Sequence, residues 1–361
     1  MTAVKQVALA LQGGGAHGAF TWGVLDGVLD EIAAGRLSVS LISGSSSGAL
    51  NGTAMIYGLR EGSALPGPQS ARGKRMAETA KAKLEQLWEQ VARAAFWGGN
   101  PFVAAIGMAM GWNIDQSPAA HMMGLAPNAD MGISHYLNTV LREVFPQLPA
   151  ILATPEPGVP SLMVAATDIE ACRRQLFVDG AVSPQALKAS ACVPNGNQSV
   201  TIDDRHYWDG GYLGNPPVVP LVDRIRGTAC HDVVVVTLSP MQRTGVPRGT
   251  HQVVDRLNEL SFSASLIHEV NTIETINRLI DSQKLKGGDH YQRVNLHRIH
   301  ADQEMVELGV YSKEAPSWDF LKHLRQLGQQ SFAAQWPQIQ ACLGKSSSWD
   351  IKPLCDGVLA R

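Results

Sequence analysis

Residues 6–11, QVALAL, form a short apolar run, and residues 17–35, HGAFTWGVLDGVLDEIAAG, carry apolar positions at helical spacing. The same pair recurs as LSVSLIS (37–43) followed by GALNGTAMIYGLREG (48–62). Short apolar runs predict strands, and the longer periodic stretches predict helices. Strand, helix, strand, helix in this order implies right-handed βαβ units on a mostly parallel sheet. Residues 61–73, EGSALPGPQSARG, are rich in Gly, Pro and Ser and predict a surface loop. Helical spacing then resumes in KRMAETAKAKLEQLWEQVARAAF (74–96).

The stretch 101–126, PFVAAIGMAMGWNIDQSPAAHMMGLA, is rich in Met and Gly and is broken by Asn113, Asp115 and Gln116. Two readings stand for it: a core helix with a turn, or a mobile lid or apolar surface that meets lipid, a use that suits methionine. Strands are predicted again in SLMVAATDIEACRRQLFVD (161–179) and HDVVVVTLSP (231–240). The second is apolar throughout, as a strand covered on both faces should be. From about residue 250 onward the chain reads mostly helical, with residues 253–283 its longest segment.

Composition narrows the function classes. A chain of 361 residues permits one large α/β domain or two modest ones. With 45% hydrophobic and 17% charged residues it has ample core, and a net charge of −2 gives no bulk attraction to nucleic acid. The basic pairs Lys74-Arg75 and Arg173-Arg174 read as solvated surface. Cys172, Cys192, Cys230, Cys342 and Cys355 are odd in number and lack paired spacing. They exclude a disulfide framework and a CxxC zinc site and fit a reducing compartment. No run of about 18 apolar residues predicts a spanning helix. A first strand at about residue 6 leads us to expect no signal peptide. The expected location is the cytoplasm, with peripheral contact to a membrane.

Three consecutive glycines, Gly13 to Gly15, sit between the first strand and the first helix. Gly13, Gly15 and Gly18 spell G-x-G-x-x-G, but a dinucleotide site also needs an acidic residue at the end of the second strand. That strand runs into GSSSGALNG with no carboxylate, and no Lys-Ser or Lys-Thr pair makes a P-loop. A nucleotide-dependent oxidoreductase is set aside on this ground. The stretch GSSSG (44–48) is G-x-S-x-G centred on Ser46, in the strand-to-helix context that a nucleophile elbow requires. The bland alternative is a serine-rich helix cap.

A serine hydroxyl needs a base. None of the eleven histidines sits in a recognisable catalytic setting. Asp209, in HYWDGGYLGNPPVVPL (206–221), is followed by two glycines that let the backbone present its carboxylate at a crowded site. It can take the serine proton directly; the alternative is an ordinary Asp-Gly-Gly turn. Backbone N–H groups of Gly13, Gly14 and Gly15 then serve as an oxyanion hole, with the helix N-terminus behind them.

The loop GGGAHG, the elbow GSSSG and the motif DGG, in this order, resemble the patatin-like phospholipase family over roughly residues 6–240. The resemblance implies a three-layer α/β core at 6–240, with a helical insertion or lid at about 74–150 and a C-terminal helical extension at 241–361. It implies hydrolysis of lipid acyl esters by a Ser46–Asp209 dyad, without a histidine, metal or cofactor. A soluble short-chain carboxylesterase or thioesterase, or a weakly catalytic docking scaffold, remains as the alternative. Two departures are notable. The family loop often carries Arg or Lys where this chain has His17, so a positive charge there is expected to depend on pH. The run after Pro194 is polar where relatives are apolar, and Asn195 and Asn197 are expected to line the acyl groove and favour shorter chains.

Overall fold

Both strand–helix pairs form where the periodicity places them. β1 (Lys5–Leu11) leads through a short 3-10 turn into α1 (Ala19–Ala33), and β2 (Leu37–Ser45) passes through one residue into α2 (Ser47–Ala64). The computed structural model describes residues 4–98, 137–194, 199–286 and 291–354. The expectations for 101–126 and for Asn195 and Asn197 therefore lie outside the described residues. Helix α3 (Arg72–Gly98) follows the predicted loop, and α4 (Leu137–Val144) and α5 (Leu148–Ala153) precede the next strands.

The apolar stretch 161–179 divides into two antiparallel strands, β3 (Ser161–Asp168) and β4 (Arg173–Val178). After α6 (Pro184–Ser190) come β5 (Val200–Ile202), β6 (Arg205–Asp209), α7 (Val218–Ile225) and β7 (Asp232–Val236). The long predicted helix is α8 (Thr250–Asp281). Beyond it the chain adds β8 (Asn295–Ile299), the short α9 (Asp302–Met305) and α10 (Trp318–Cys342).

The eight strands among the described residues make one sheet, ordered β5-β6-β3-β2-β1-β7-β8 with β4 also on β3. The β3–β2–β1–β7–β8 run is parallel throughout. Alternation along the strands builds the layers. Val7, Leu9 and Leu11 of β1 and Val234 and Val236 of β7 join the core made with α1, α2, α3 and α10. Ala8 and Ala10, with Val233 and Val235, join a second core under α7 and α8. Successive residues of a strand point to opposite faces, so a run apolar at every position is buried on both sides. Fully burying each larger side chain contributes roughly 1.5–3 kcal/mol.

The region after 250 is mostly helical, as expected, but not throughout: Asn295–Ile299 pairs in parallel with β7 and extends the sheet. Five residues, NLHRI, are too few for periodicity to separate strand from helix, and pairing with β7 decides. Nor is Arg174 a solvated surface group. It is half-buried and paired with Glu269 of α8, whose Oε2 also accepts the N–H groups of Val218 and Val219 at 2.5 and 2.7 Å. Those are the first amides of α7, which need acceptors.

Candidate active site

Ser46 sits alone between β2 and α2 with φ 53° and ψ −128°. A non-glycine residue in this region costs on the order of 1–3 kcal/mol. The turn can tighten because its flanks are bare. A Cβ on Gly44 would lie 2.6 Å from the Gly48 carbonyl carbon, and one on Gly48 would collide with the Leu11 carbonyl oxygen. The three serines point to different neighbours. Ser45 Oγ donates to the Gly214 carbonyl, Ser47 Oγ accepts the Gly14 N–H at 3.0 Å, and the Ser46 N–H donates to Ser190 Oγ of α6 at 2.9 Å.

The sheet brings Asp209 to the same place. β2 pairs with β3 in parallel and ends at Ser45 opposite Ala165. β6 pairs with β3 in antiparallel fashion and ends at Asp209 opposite Ala166. β4 occupies the other edge of β3 along Met163–Asp168, so β2 and β6 share one edge and meet head to head. Ser46 is the next residue after β2, and Asp209 is the last residue of β6. The separation of 163 residues in sequence closes at two adjacent positions of one strand.

Asp209 is 1% exposed. Its N–H donates to the Cys192 carbonyl at 2.7 Å, and its own carbonyl accepts Thr167 Oγ1 at 2.8 Å. Oδ1 accepts the Gly211 N–H at 2.7 Å. Oδ2 is buried and makes no hydrogen bond of ordinary length. Burial pushes the carboxyl up to about 6, opposed by the Gly211 N–H, the neighbouring Ser46 hydroxyl and the Lys313 charge. A carboxylate so poised, with one oxygen uncommitted, can accept a hydroxyl proton near neutral pH.

The glycine loop is less uniform than its sequence. The Gly13 N–H donates to Asn215 Oδ1 at 2.7 Å, and Asn215 Nδ2 donates back to the Gly13 carbonyl at 3.3 Å and to the Phe262 carbonyl at 3.2 Å. The Gly14 N–H is held by the rotatable Ser47 hydroxyl. The Gly15 N–H has no protein acceptor among the described residues. Gly15 adopts φ +56°, and a Cβ there would strike the Lys313 carbonyl oxygen.

His17 corrects an expectation. It is 2% exposed, and its Nε2 lies 2.7 Å from Ser312 Oγ. Ser312 Oγ donates to the Gly309 carbonyl at 2.9 Å, which leaves Nε2 as the donor to it. Burial, aided by the Lys313 charge, holds the imidazole well below its ordinary 6.5. The loop therefore carries no charge at neutral pH. Asn215 was visible in the sequence only as part of a proline turn, while Ser190, Ser312 and Lys313 carried no local signal at all.

A mostly parallel α/β sheet thus brings a strained serine and a buried carboxyl together at converging strand ends. Residues 9–222 match the family described as Patatin-like phospholipase, and the chain belongs to that family. Membership supports lipid acyl hydrolysis as the general activity. No curated protein matches the chain. Among solved structures it is similar to VipD from Legionella pneumophila, at 14% identity and a TM-score of 0.39, covering 92% of this chain and 67% of that one. Among the described residues no helix is long and apolar enough to cross a membrane.

Proposed function

We propose that the protein hydrolyses carboxylic esters of lipids through an acyl-enzyme, with Ser46 as nucleophile and Asp209 as its base. The observation that carries this reading is the head-to-head meeting of β2 and β6 on β3. In the first half-reaction Ser46 Oγ attacks the ester carbonyl carbon and passes its proton to Asp209 Oδ2. The tetrahedral oxyanion collapses, the C–O bond to the alcohol breaks, and the alcohol leaves with that proton. Water then attacks the acyl carbon, giving a proton to Asp209. Collapse releases the fatty acid, and the proton returns to Ser46 Oγ.

The glycine loop divides this labour. Gly15 offers an open N–H, and Gly14 offers a second once the Ser47 hydroxyl turns aside. The Gly13 N–H, committed to Asn215, anchors the loop. Each effective donor to the oxyanion is worth roughly 2.7–4 kcal/mol. Val253, Val254, Leu257 and Leu260 are exposed on α8, the helix whose Phe262 packs on Gly211 beside Asp209. This exposed apolar stripe supports contact with a lipid surface on the side of α8 away from Phe262.

Labelling with a fluorophosphonate probe tests the nucleophile. The wild-type protein should be labelled at Ser46, and Ser46→Ala should lose both label and ester turnover, by about 10⁴-fold or more, while keeping its melting temperature within a few degrees. Turnover by the folded variant at the wild-type rate would refute the assignment.

A further inference from the structure

The family match ends at residue 222, yet the site is closed by residues far beyond it. The short turn Tyr311–Glu314 lies against the loop Gly15–Gly18. Its Lys313 carbonyl fills the space where a Gly15 side chain would be, and Ser312 Oγ takes the His17 ring nitrogen. The Lys313 ammonium is clamped from α8, donating to Asn258 Oδ1 at 2.5 Å and lying 5.7 Å from the Phe262 ring centre. Phe262 in turn packs on Gly211, whose N–H holds Asp209.

We propose that Lys313, delivered by the C-terminal third of the chain, completes the catalytic centre as a positioning residue, its carbonyl seating Gly15 and its ammonium supplying positive charge to Asp209. This rests on the Ser46–Asp209 reading given above. The charge environment favours such a role. His17 is neutral, so the glycine loop brings no cation of its own. Tyr212, next to the Asp209 loop, is pushed up to about 12 and is neutral as well. The carboxylates that line the small cavity beside Lys313, about 10 Å³ in volume, are Asp255 and Glu259. Glu259 is bound by both Arg243 and Arg256, and Asp255 accepts the Val310 N–H at 2.8 Å. A nearby opposite charge favours the ionised form of a carboxyl, and Lys313 acts on Asp209 in that sense.

The test is the acid limb of the kcat/KM–pH profile for an uncharged ester, measured on the wild type, Lys313→Met, Lys313→Gln and Lys313→Arg, each checked by thermal unfolding. The wild-type limb should lie near pH 6, set by Asp209. The two neutral variants should move it upward by about half a pH unit or more, whereas Lys313→Arg should leave it in place. A residue that merely supports the fold would lower the plateau without moving the limb. An unmoved limb in both neutral variants overturns the proposal. Failure of both to fold also overturns it, because Lys313 would then be a scaffold residue. Ser46→Ala and Asp209→Asn run in parallel as controls on the underlying reading. Wild-type turnover in either defeats the dyad itself, whatever the Lys313 variants do.

Discussion

Asp209 and His17 are both titratable and buried at this site, and they respond to burial in opposite senses. Both are almost wholly hidden, at 1% and 2% exposure. Removal from water disfavours charge in each, raising the carboxyl and lowering the imidazole. Lys313 then separates them. Its charge opposes burial at Asp209 and reinforces it at His17. One group stays poised to exchange a proton near neutral pH, while the other is silenced and serves only as a hydrogen-bond donor to Ser312. Burial sets the direction at both groups, and the Lys313 charge adds a smaller contribution of opposite effect at each.

Exchanging the two groups' chemistry should break this contrast most sharply. Asp209→Asn removes the proton acceptor and should lower kcat/KM by about 10²–10⁴-fold. His17→Gln, which keeps a donor at the loop, should cost less than about tenfold, below the range expected of a general base. Equal losses in the two variants would show that the carboxylate is not the distinguishing group.

Stability should reveal the same asymmetry. A carboxyl whose pKa is higher in the folded state than in the unfolded chain binds its proton more tightly when folded. Its contribution is favourable at low pH and is lost as pH rises through about 6. Keeping Asp209 ionised in its buried site therefore costs at most about 3 kcal/mol at pH 8. Asp209→Asn should be the more stable protein at pH 8, by up to that amount, and the gain should vanish towards pH 4. Chemical denaturation of both proteins at the two pH values measures it. A variant less stable than wild type at pH 8 would mean that the ionised carboxylate is a structural partner.

The smallest effect concerns chain length. Asn195 and Asn197 follow Cys192 in the sequence by three and five residues. If the two amides line the acyl groove, leaving each unpaired costs on the order of 1–3 kcal/mol, against about 0.8 kcal/mol gained per buried methylene. Replacing Asn195 with Leu and Asn197 with Phe should then move the optimum of kcat/KM towards longer acyl chains by a few carbons. A panel from short p-nitrophenyl esters to phospholipid vesicles reads the shift. An unchanged profile would place these residues away from the acyl chain.

Legibility followed locality. The elbow at Ser46 was visible because its requirements, an apolar strand, small flanks and a helix start, all lie within a few residues. Asp209 was visible through its two glycines, though nothing local tells a base from a turn residue. The sequence offers Gly13, Gly14 and Gly15 alike as donors, whereas in the fold Asn215 and Ser47 engage the Gly13 and Gly14 N–H groups. Strand β8 escaped notice because five residues carry too little pattern.

Sequence alone determined the alternation of strands and helices, the strained turn at Ser46 and the family to which the chain belongs. These depend on spacing and steric size within short windows, which any reading of the chain preserves. Tertiary structure decided which carboxylate meets that serine, which glycine N–H stays open, and that His17 is uncharged. Each of these turns on strand register across β3 or on the loss of water around a buried group. It also decided that a lysine 267 residues after Ser46 reaches the same centre. Desolvation and Coulomb interaction depend on distance in space, and no spacing along the chain encodes them.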